Sequence, residues 1–321
     1  MFDNLFSFFD RHQSFVLTTH EPPDADGLGA QLAFAAILRD RGKEYKIINA
    51  SAIPVIFKFV DHDSVIEILD EKHHAFMEKS AIIVLDTSDE YHIGAMREVL
   101  KKAREVFIFD HHEPKPLAKL TGFADPTAAS TTELAVELAQ AVGLTLDPHT
   151  ATAVYAGIVY DSGFFGYKKT TVRTFNAALK TIEWGADPHY VYMQLMESAT
   201  GSALLLQKQA LSTLEFHAGR KIAVLALHKE DFTIAGADFE EADGLVNIPL
   251  KVKDVEVSIL IKEKSTGEVR CSLRSKGKVN VSKIAQGFGG GGHVTASGFR
   301  SAMNVEETLK KLLECMEGRV E

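Results

Sequence analysis

Cysteine is almost missing from this chain of 321 residues. The two that occur, Cys271 and Cys315, are too few for a disulfide framework or a thiolate zinc site. That scarcity makes a reducing, cytoplasmic setting the expectation. Long apolar runs are missing too, which excludes a membrane-spanning helix. The residues from Met1 to Arg11 lack the basic start and small-residue cleavage site of a signal peptide, and read as a short amphipathic helix. Positive charge is also scarce: 35 Lys and Arg stand against 44 Asp and Glu, a net charge of −9. A protein that holds long nucleic acid by its phosphates needs a broad basic surface, so no long duplex is expected as a partner. Positive charge must be confined to a small site, which suits a short or monomeric anionic substrate. Repeats and low-complexity tracts are absent. What remains, 45% hydrophobic and 25% charged residues, describes an ordinary globular protein long enough for two domains.

Apolar runs and helical spacings alternate along the first half. Phe15–Thr19 reads as a strand, Ala30–Arg41 as a helix stopping at Gly42, and Tyr45–Asn49 as a second strand. This βαβ opening implies a parallel sheet. Buried strands follow at Ala81–Leu85 and Glu105–Phe109, with helices at Arg97–Arg104, Thr131–Val142, Thr150–Tyr160 and Val172–Trp184. The stretch 187–216 has helical periodicity and no strands, and reads as a linker. Beyond it the grammar changes to strands at Lys221–Leu227, Val255–Ile261 and Glu268–Leu273, the last two flanking the turn Lys264–Gly267. A helix over Val279–Phe288, a glycine run, a short strand near Gly298–Arg300 and a helix over Val305–Met316 complete the chain. The fold class is α/β: an N-terminal parallel-sheet domain with helices on both faces, a helical linker, and a smaller C-terminal mixed α/β domain.

Three strands end in an acid or histidine: His20 after the first, Asp86 after Ala81–Leu85, Asp110-His111-His112 after Glu105–Phe109. Asp161 adds a fourth point after a helix. One such terminus is an ordinary cap or turn, and Asp24 and Asp26 can simply start the helix after Gly27. Three in one parallel sheet point to a shared site at the carboxyl edge, where open sheets bind ligands.

The motifs His20-Glu21-Pro22-Pro23-Asp24-Ala25-Asp26-Gly27, Asp86-Thr87-Ser88-Asp89, Asp110-His111-His112 and Gly157–Gly163 come in the order of the DHH phosphoesterases, and the chain resembles that family. The Gly289–Gly298 stretch resembles the DHH-associated C-terminal domain. Length and the Arg270–Lys283 segment look most like the nanoRNase/pAp phosphatase branch. The resemblance implies a catalytic domain over 1–186, a linker over 187–216 and a substrate-binding domain over 217–321. It implies two divalent metals: His20 and Asp24 on one, Asp26, His111 and Asp161 on the other, and Asp86 bridging. Asp110 would orient a histidine, assigned as His111, and His112 would face the substrate phosphate. Four aspartates balance two divalent cations, and carboxylate with imidazole donors favours Mn2+, with Mg2+ or Co2+ able to substitute. The metals would activate a water for in-line attack on phosphorus.

In the second domain Arg270, Ser272 and Arg274 share one face of a strand, either a solvated face or a phosphate grip. Gly289 to Gly292, including Gly290, Gly291 and Gly292, is either a flexible loop or a backbone cup for phosphate. The resemblance favours phosphate binding for both, with His293 at the terminal phosphate of a substrate wedged between domains. Ser130-Thr131-Thr132 and Glu133 are further site candidates. His62, His73, His74 and His92 read as surface histidines, and His149, His189, His217 and His228 show no partner pattern. Two departures from many relatives bear on substrate choice. Glu113-Pro114-Lys115-Pro116 stands where an asparagine is common, and Val294-Thr295 where basic residues are common.

The expected activity is hydrolysis of short RNA oligomers to mononucleotides and of 3′-phosphoadenosine 5′-phosphate, with a homodimer as one possible assembly. The alternatives are a linear or cyclic dinucleotide phosphodiesterase, a RecJ-like single-strand exonuclease, an inorganic pyrophosphatase and a non-catalytic nucleotide sensor. RecJ-type relatives carry extra domains for which this chain has little room. Pyrophosphatases of the superfamily have a different C-terminal domain. A sensor would require a broken ligand set.

Overall fold

A computed structural model describes residues 2–113 and 121–316. The chain divides into two compact units, Met1–Ser198 and Ala199–Glu321. The first contains α1 (Asp3–Arg11), β1 (Ser14–Thr18), α2 (Ala25–Asp40), β2 (Glu44–Asn49), β3 (Ile66–Ile68), α3 (His74–Met77), β4 (Ala81–Leu85), α4 (Met96–Leu100), β5 (Val106–Asp110), β6 (Thr121–Ala124), α5 (Thr131–Ala141), α6 (Pro148–Asp161), α7 (Val172–Glu183) and α8 (Pro188–Met196). Its sheet runs in the order β3-β2-β1-β4-β5-β6, every pairing parallel.

The unbroken apolar runs have a physical reason. A parallel sheet is covered on both faces, so each central strand is apolar throughout, and every residue of β1, β4 and β5 is buried. Alternate residues serve opposite layers. Phe15, Leu17, Ile83, Phe107 and Phe109 pack with Phe8, Phe34 and Leu134 of α1, α2 and α5. Val16, Ile82, Val84 and Ile108 pack with Met77 and Met96 of α3 and α4. Strand order reverses between β1 and β4, which opens a crevice beyond their carboxyl ends.

Two boundaries differ from expectation. α2 begins at Ala25, before Gly27, because Asp24 caps it by accepting the Asp26 and Gly27 N–H groups (3.0 and 3.1 Å). The helix expected over Arg97–Arg104 stops at Leu100, since the chain turns at Lys101–Lys102 to enter β5. The stretch 187–216 carries α8 and, beyond the division at 198/199, α9 (Gly201–Ser212). Val191 of α8 packs with Ala25, Leu28 and Ala156, whereas Leu206 and Ala210 of α9 pack with Leu225 and Leu260.

The second unit continues with β7 (Glu215–His217), β8 (Ile222–Leu227), α10 (Lys229–Ala235), 3₁₀ segments over Phe239–Asn247 and Pro249–Lys251, β9 (Val257–Glu263), β10 (Val269–Ser275), α11 (Val281–Gln286), β11 (Gly291–Gly292), β12 (Ala296–Ser301) and α12 (Val305–Met316). Its sheet order is β11-β12-β10-β9-β8-β7. β8 and β9 are parallel, and the other pairings are antiparallel. The β9–β10 hairpin closes where the turn residues predict, with Gly267 donating to the Lys264 carbonyl (2.9 Å). Among the described residues, no helix is long and apolar enough to cross a membrane.

Candidate metal centre

The crevice at the ends of β1 and β4 collects the polar residues the sequence singles out. His20 lies just beyond β1, Asp24 caps α2, and Asp26 is in its first turn. Asp86 follows β4, Asp110 ends β5, and Asp161 ends α6. His20 Nε2 is 3.4 Å from both Asp24 Oδ1 and Asp86 Oδ2. His111 Nε2 is 3.1 Å from Asp161 Oδ2, 3.6 Å from Asp86 Oδ1 and 4.0 Å from Asp26 Oδ2. Three groups have ligand atoms all within 4.8 Å of one another: His20, Asp24 and Asp86; Asp26, His111 and Asp161; Asp86, His111 and His112. Asp86 is common to the first and last of these, and its Oδ1 is 3.6 Å from the His111 of the second.

The candidate ligands are held from behind. Asp26 Oδ2 accepts the Thr131 N–H (2.7 Å), and its Oδ1 accepts the Thr132 N–H (2.8 Å) and hydroxyl (2.5 Å). The Thr131 hydroxyl donates to Asp86 Oδ1 (2.8 Å). Asp86 itself has a left-handed backbone (φ 63°). This conformation is unfavourable for a residue with a Cβ and is found where surroundings over-determine it, commonly at functional sites. His111 Nδ1 lies 3.3 Å from the Ala128 carbonyl. A carbonyl only accepts, so Nδ1 carries the proton and Nε2 presents its lone pair to the carboxylates.

Whether these residues fit a cation follows from that geometry. His111 Nε2 is buried and makes no hydrogen bond. Burial holds its imidazole below the ordinary range, assisted by the charge of His112 and opposed by that of Asp26. A bare lone pair surrounded by carboxylates is unfavourable unless a cation lies between them. Burial, then the charge of Asp26, pushes Asp86 and Asp161 well above ordinary carboxyl values. His20 is raised despite burial, because Asp24 and Asp86 bond to its charged form. The donor set of carboxylates and imidazoles fits a divalent ion of manganese or magnesium type.

The sequence profile of the DHH family, N-terminal domain, matches residues 14–158, and that of the DHHA1 domain matches 219–320. The chain belongs to the DHH family. It is 27% identical over 308 residues to the bifunctional oligoribonuclease and PAP phosphatase NrnA of Thermus thermophilus, covering 94% of this chain and 88% of that one. The Bacillus subtilis NrnA is 26% identical, covering 89% of each. The B. subtilis cyclic-di-AMP phosphodiesterase GdpP is 27% identical over 92% of this chain but only 46% of its own length. A crystal structure of an exopolyphosphatase-related protein from Bacteroides fragilis superposes with a TM-score of 0.89 at 26% identity, covering 98% of this chain and 95% of that one.

Within the DHH unit, one role differs from expectation. Asp110 orients His112, not His111: its Oδ1 accepts the His112 N–H (3.0 Å) and Nδ1–H (2.8 Å). His111 is oriented by Ala128 instead. The Ala128 loop is itself anchored. The next amide, Ala129, donates to the buried Glu133 (3.4 Å). Arg173 on α7 binds Glu137 through two nitrogens (2.6 and 2.7 Å) and Asp125 (2.7 Å), 3.3 Å from Glu133. Arg173 and Ala128 escape sequence reasoning because neither lies in a motif. Ser130-Thr131-Thr132, a site candidate from its match to a family segment, does supply bonds to Asp26 and Asp86. His73, expected at the surface, is fully buried, its Nδ1 accepting the Asp70 N–H (3.0 Å) and its Nε2–H donating to Glu67 (3.0 Å).

In the DHHA1 unit, Arg270, Ser272 and Arg274 do share the less buried face of β10. Arg270 bonds Glu268 (3.2 Å) and stands 5.6 Å from the Phe239 ring. The glycines have reasons internal to the fold. A Cβ on Gly290 would enter the Gly298 carbonyl and Phe299, and one on Gly292 would lie 2.5 Å from the Ala296 carbonyl, so both let β11 lie against β12. Gly289 and Gly291 face open space. His293 is exposed, and its N–H donates to the Ala296 carbonyl (2.7 Å) in the β11–β12 turn. Of the departure at Glu113–Pro116, positions 114–116 lie outside the described residues.

Proposed function

We propose that this chain is a phosphoesterase that hydrolyses short oligoribonucleotides to mononucleotides and 3′-phosphoadenosine 5′-phosphate to AMP, using two divalent ions, Mn2+ foremost. The observation that carries this reading is the convergence in one crevice of His20, Asp24 and Asp86 with Asp26, His111 and Asp161, Asp86 Oδ1 lying 3.6 Å from His111 Nε2. Its relatives named as oligoribonuclease and PAP phosphatase are covered over nearly their whole length. His20, Asp24 and Asp86 would hold one ion, and Asp26, His111, Asp161 and Asp86 the other. Bound there, divalent ions would supply Lewis acidity to a water and charge neutralisation to the phosphate. The chain's own groups do the rest. Asp110 occupies His112 Nδ1, so Nε2 is the atom free to meet a phosphoryl oxygen and steady its growing charge. In the DHHA1 unit Arg270, Ser272, Arg274, Gly291 and His293 would contact the more distant phosphate, with Gly290 and Gly292 shaping the turn. The P–O bond to the leaving nucleoside breaks as water oxygen joins phosphorus, and the same step releases phosphate from the bisphosphate.

Cyclic or linear dinucleotide phosphodiesterase activity is the second reading, favoured by the likeness to GdpP. This chain spans less than half of that protein, which weakens the transfer. Asp86→Ala is expected to abolish manganese-dependent cleavage of a two-nucleotide RNA, and retained turnover would overturn the shared-ligand site. Rates of the unaltered protein on a two-nucleotide RNA, on the bisphosphate and on cyclic di-adenylate rank the two readings.

A further inference from the structure

The turn after Asp161 is strained in an unusual way. Gly163, Phe164 and Phe165 have φ of 59°, 56° and 62°, three successive left-handed residues. Glycine accepts this freely, whereas a bulky aromatic does not. Phe165 turns inward and stacks on Phe175, with ring centroids 4.9 Å apart and planes 17° apart. The strain at Phe164 has no such return, since that residue is 40% exposed. Tyr167 is 64% exposed and yet held. Its N–H donates to the Ser162 carbonyl (2.9 Å), and its ring takes the space a Cβ on Gly163 would need, 2.5 Å away. A ring fixed at the surface, beside a strained aromatic and adjacent in chain to Asp161, is poorly explained by stability. Lys168 and Lys169 follow, both exposed, in a chain otherwise short of positive charge. The Lys169 charge is felt at both Asp161 and His111.

We propose that the 163–169 turn is a stacking platform for a nucleobase of the substrate, with Tyr167 and Phe164 carrying the base beside the scissile phosphate and Lys168 and Lys169 meeting its backbone. The inference rests on the oligoribonucleotide reading above. Aromatic stacking suits an enzyme that trims any short RNA, because every base has a π-face and none is selected by hydrogen bonding. The Tyr167 ring, already packed over Gly163, loses little freedom on binding.

The test compares a two-nucleotide RNA with its abasic analogue, in manganese. Tyr167→Ala is expected to raise KM on the RNA about tenfold, the loss of one stacked base, with kcat nearly unchanged. The abasic analogue should show no difference between the variant and the unaltered protein, and Tyr167→Trp should restore KM. Phe164→Asn, which tolerates left-handed backbone, should raise KM without lowering the melting temperature, and so tests the platform even where Tyr167→Ala folds poorly. Unchanged KM in both alanine and asparagine variants overturns the platform. So does an equal loss on the abasic analogue, or a change in sedimentation alone, which would make the ridge a contact between copies. An unaltered protein inert on both substrates would instead sink the oligoribonucleotide reading, and this inference with it.

Discussion

Asp110 Oδ1 accepts two hydrogen bonds from one residue, while its Oδ2 is buried with no partner. Burial raises this carboxyl, but bonds from His112 overcome it and hold Asp110 below its ordinary value. Asp110→Asn should therefore leave manganese binding intact, measured by calorimetry, while lowering kcat about 10- to 100-fold, the usual effect of losing a group that orients another. That His112 and not His111 is its partner was illegible in the triplet. The chain leaves β5 at Asp110, so which neighbour folds back is decided by the turn and by Ala128, eighteen positions away from Asp110. The six candidate ligands came from the family resemblance, and the structure gathers them in one crevice because each lies at or beside the end of an element. His73 was misread for the opposite reason: its neighbours are charged, and only Glu67 on another element explains its burial. Cys271 is fully buried, and burial alone raises its thiol far above the ordinary range. A thiol reagent is expected to leave Cys271 unlabelled in the native protein and to label it on unfolding.

Among elements, the segment after β6 together with the first turn of α5 supports the candidate site from behind. It presents Ala128 to His111, Thr131 and Thr132 to Asp26, and Thr131 to Asp86. Its anchor is Arg173, on a helix outside every motif. Arg173→Ala leaves Asp125, Glu133 and Glu137 facing one another. It should lower stability by about 1–3 kcal/mol in urea titration, allowing for the partial exposure of the pair. Manganese affinity should fall about tenfold as His111 and Asp26 loosen. Lysine should not restore either, because it lacks the fork that binds Glu137 twice. On β3, Glu67 bonds Lys72 (2.6 Å), His73 and Lys46 (3.2 Å), and its carboxyl is lowered from 4.5 to about 2, chiefly by Lys72. A carboxyl depressed in the folded state stabilises above its unfolded value and loses that contribution as pH falls toward the folded one. The stability difference between the unaltered protein and Glu67→Gln should thus shrink from about pH 6 to about pH 3, by no more than about 1 kcal/mol at so exposed a site. The central strands were legible because parallel-sheet burial leaves uninterrupted apolar runs. The short helix α4 was not, because charge spacing alone does not say where a chain must turn.

For the molecule as a whole, part of the net charge of −9 is concentrated in Asp24, Asp26, Asp86 and Asp161. Manganese at about a hundredfold over its dissociation constant should stabilise the protein by about 2.7 kcal/mol, seen as a raised melting temperature that a chelator reverses. Asp86→Ala should melt at one temperature with or without the ion. The candidate donors are spread along the chain from His20 to Asp161, at or beside the ends of β1, α2, β4, β5 and α6. At about 5–20 residues per second on the ribosome, His20 and Asp24 emerge several seconds before the donors that complete them. Until α6 has docked, no stretch of nascent chain offers more than a pair or a triplet of weak oxygen and nitrogen donors. Parallel topology would therefore defer capture of the second ion, the one assigned to His111 and Asp161, until α6 has folded, after the set of His20, Asp24 and Asp86 on the earlier elements is complete.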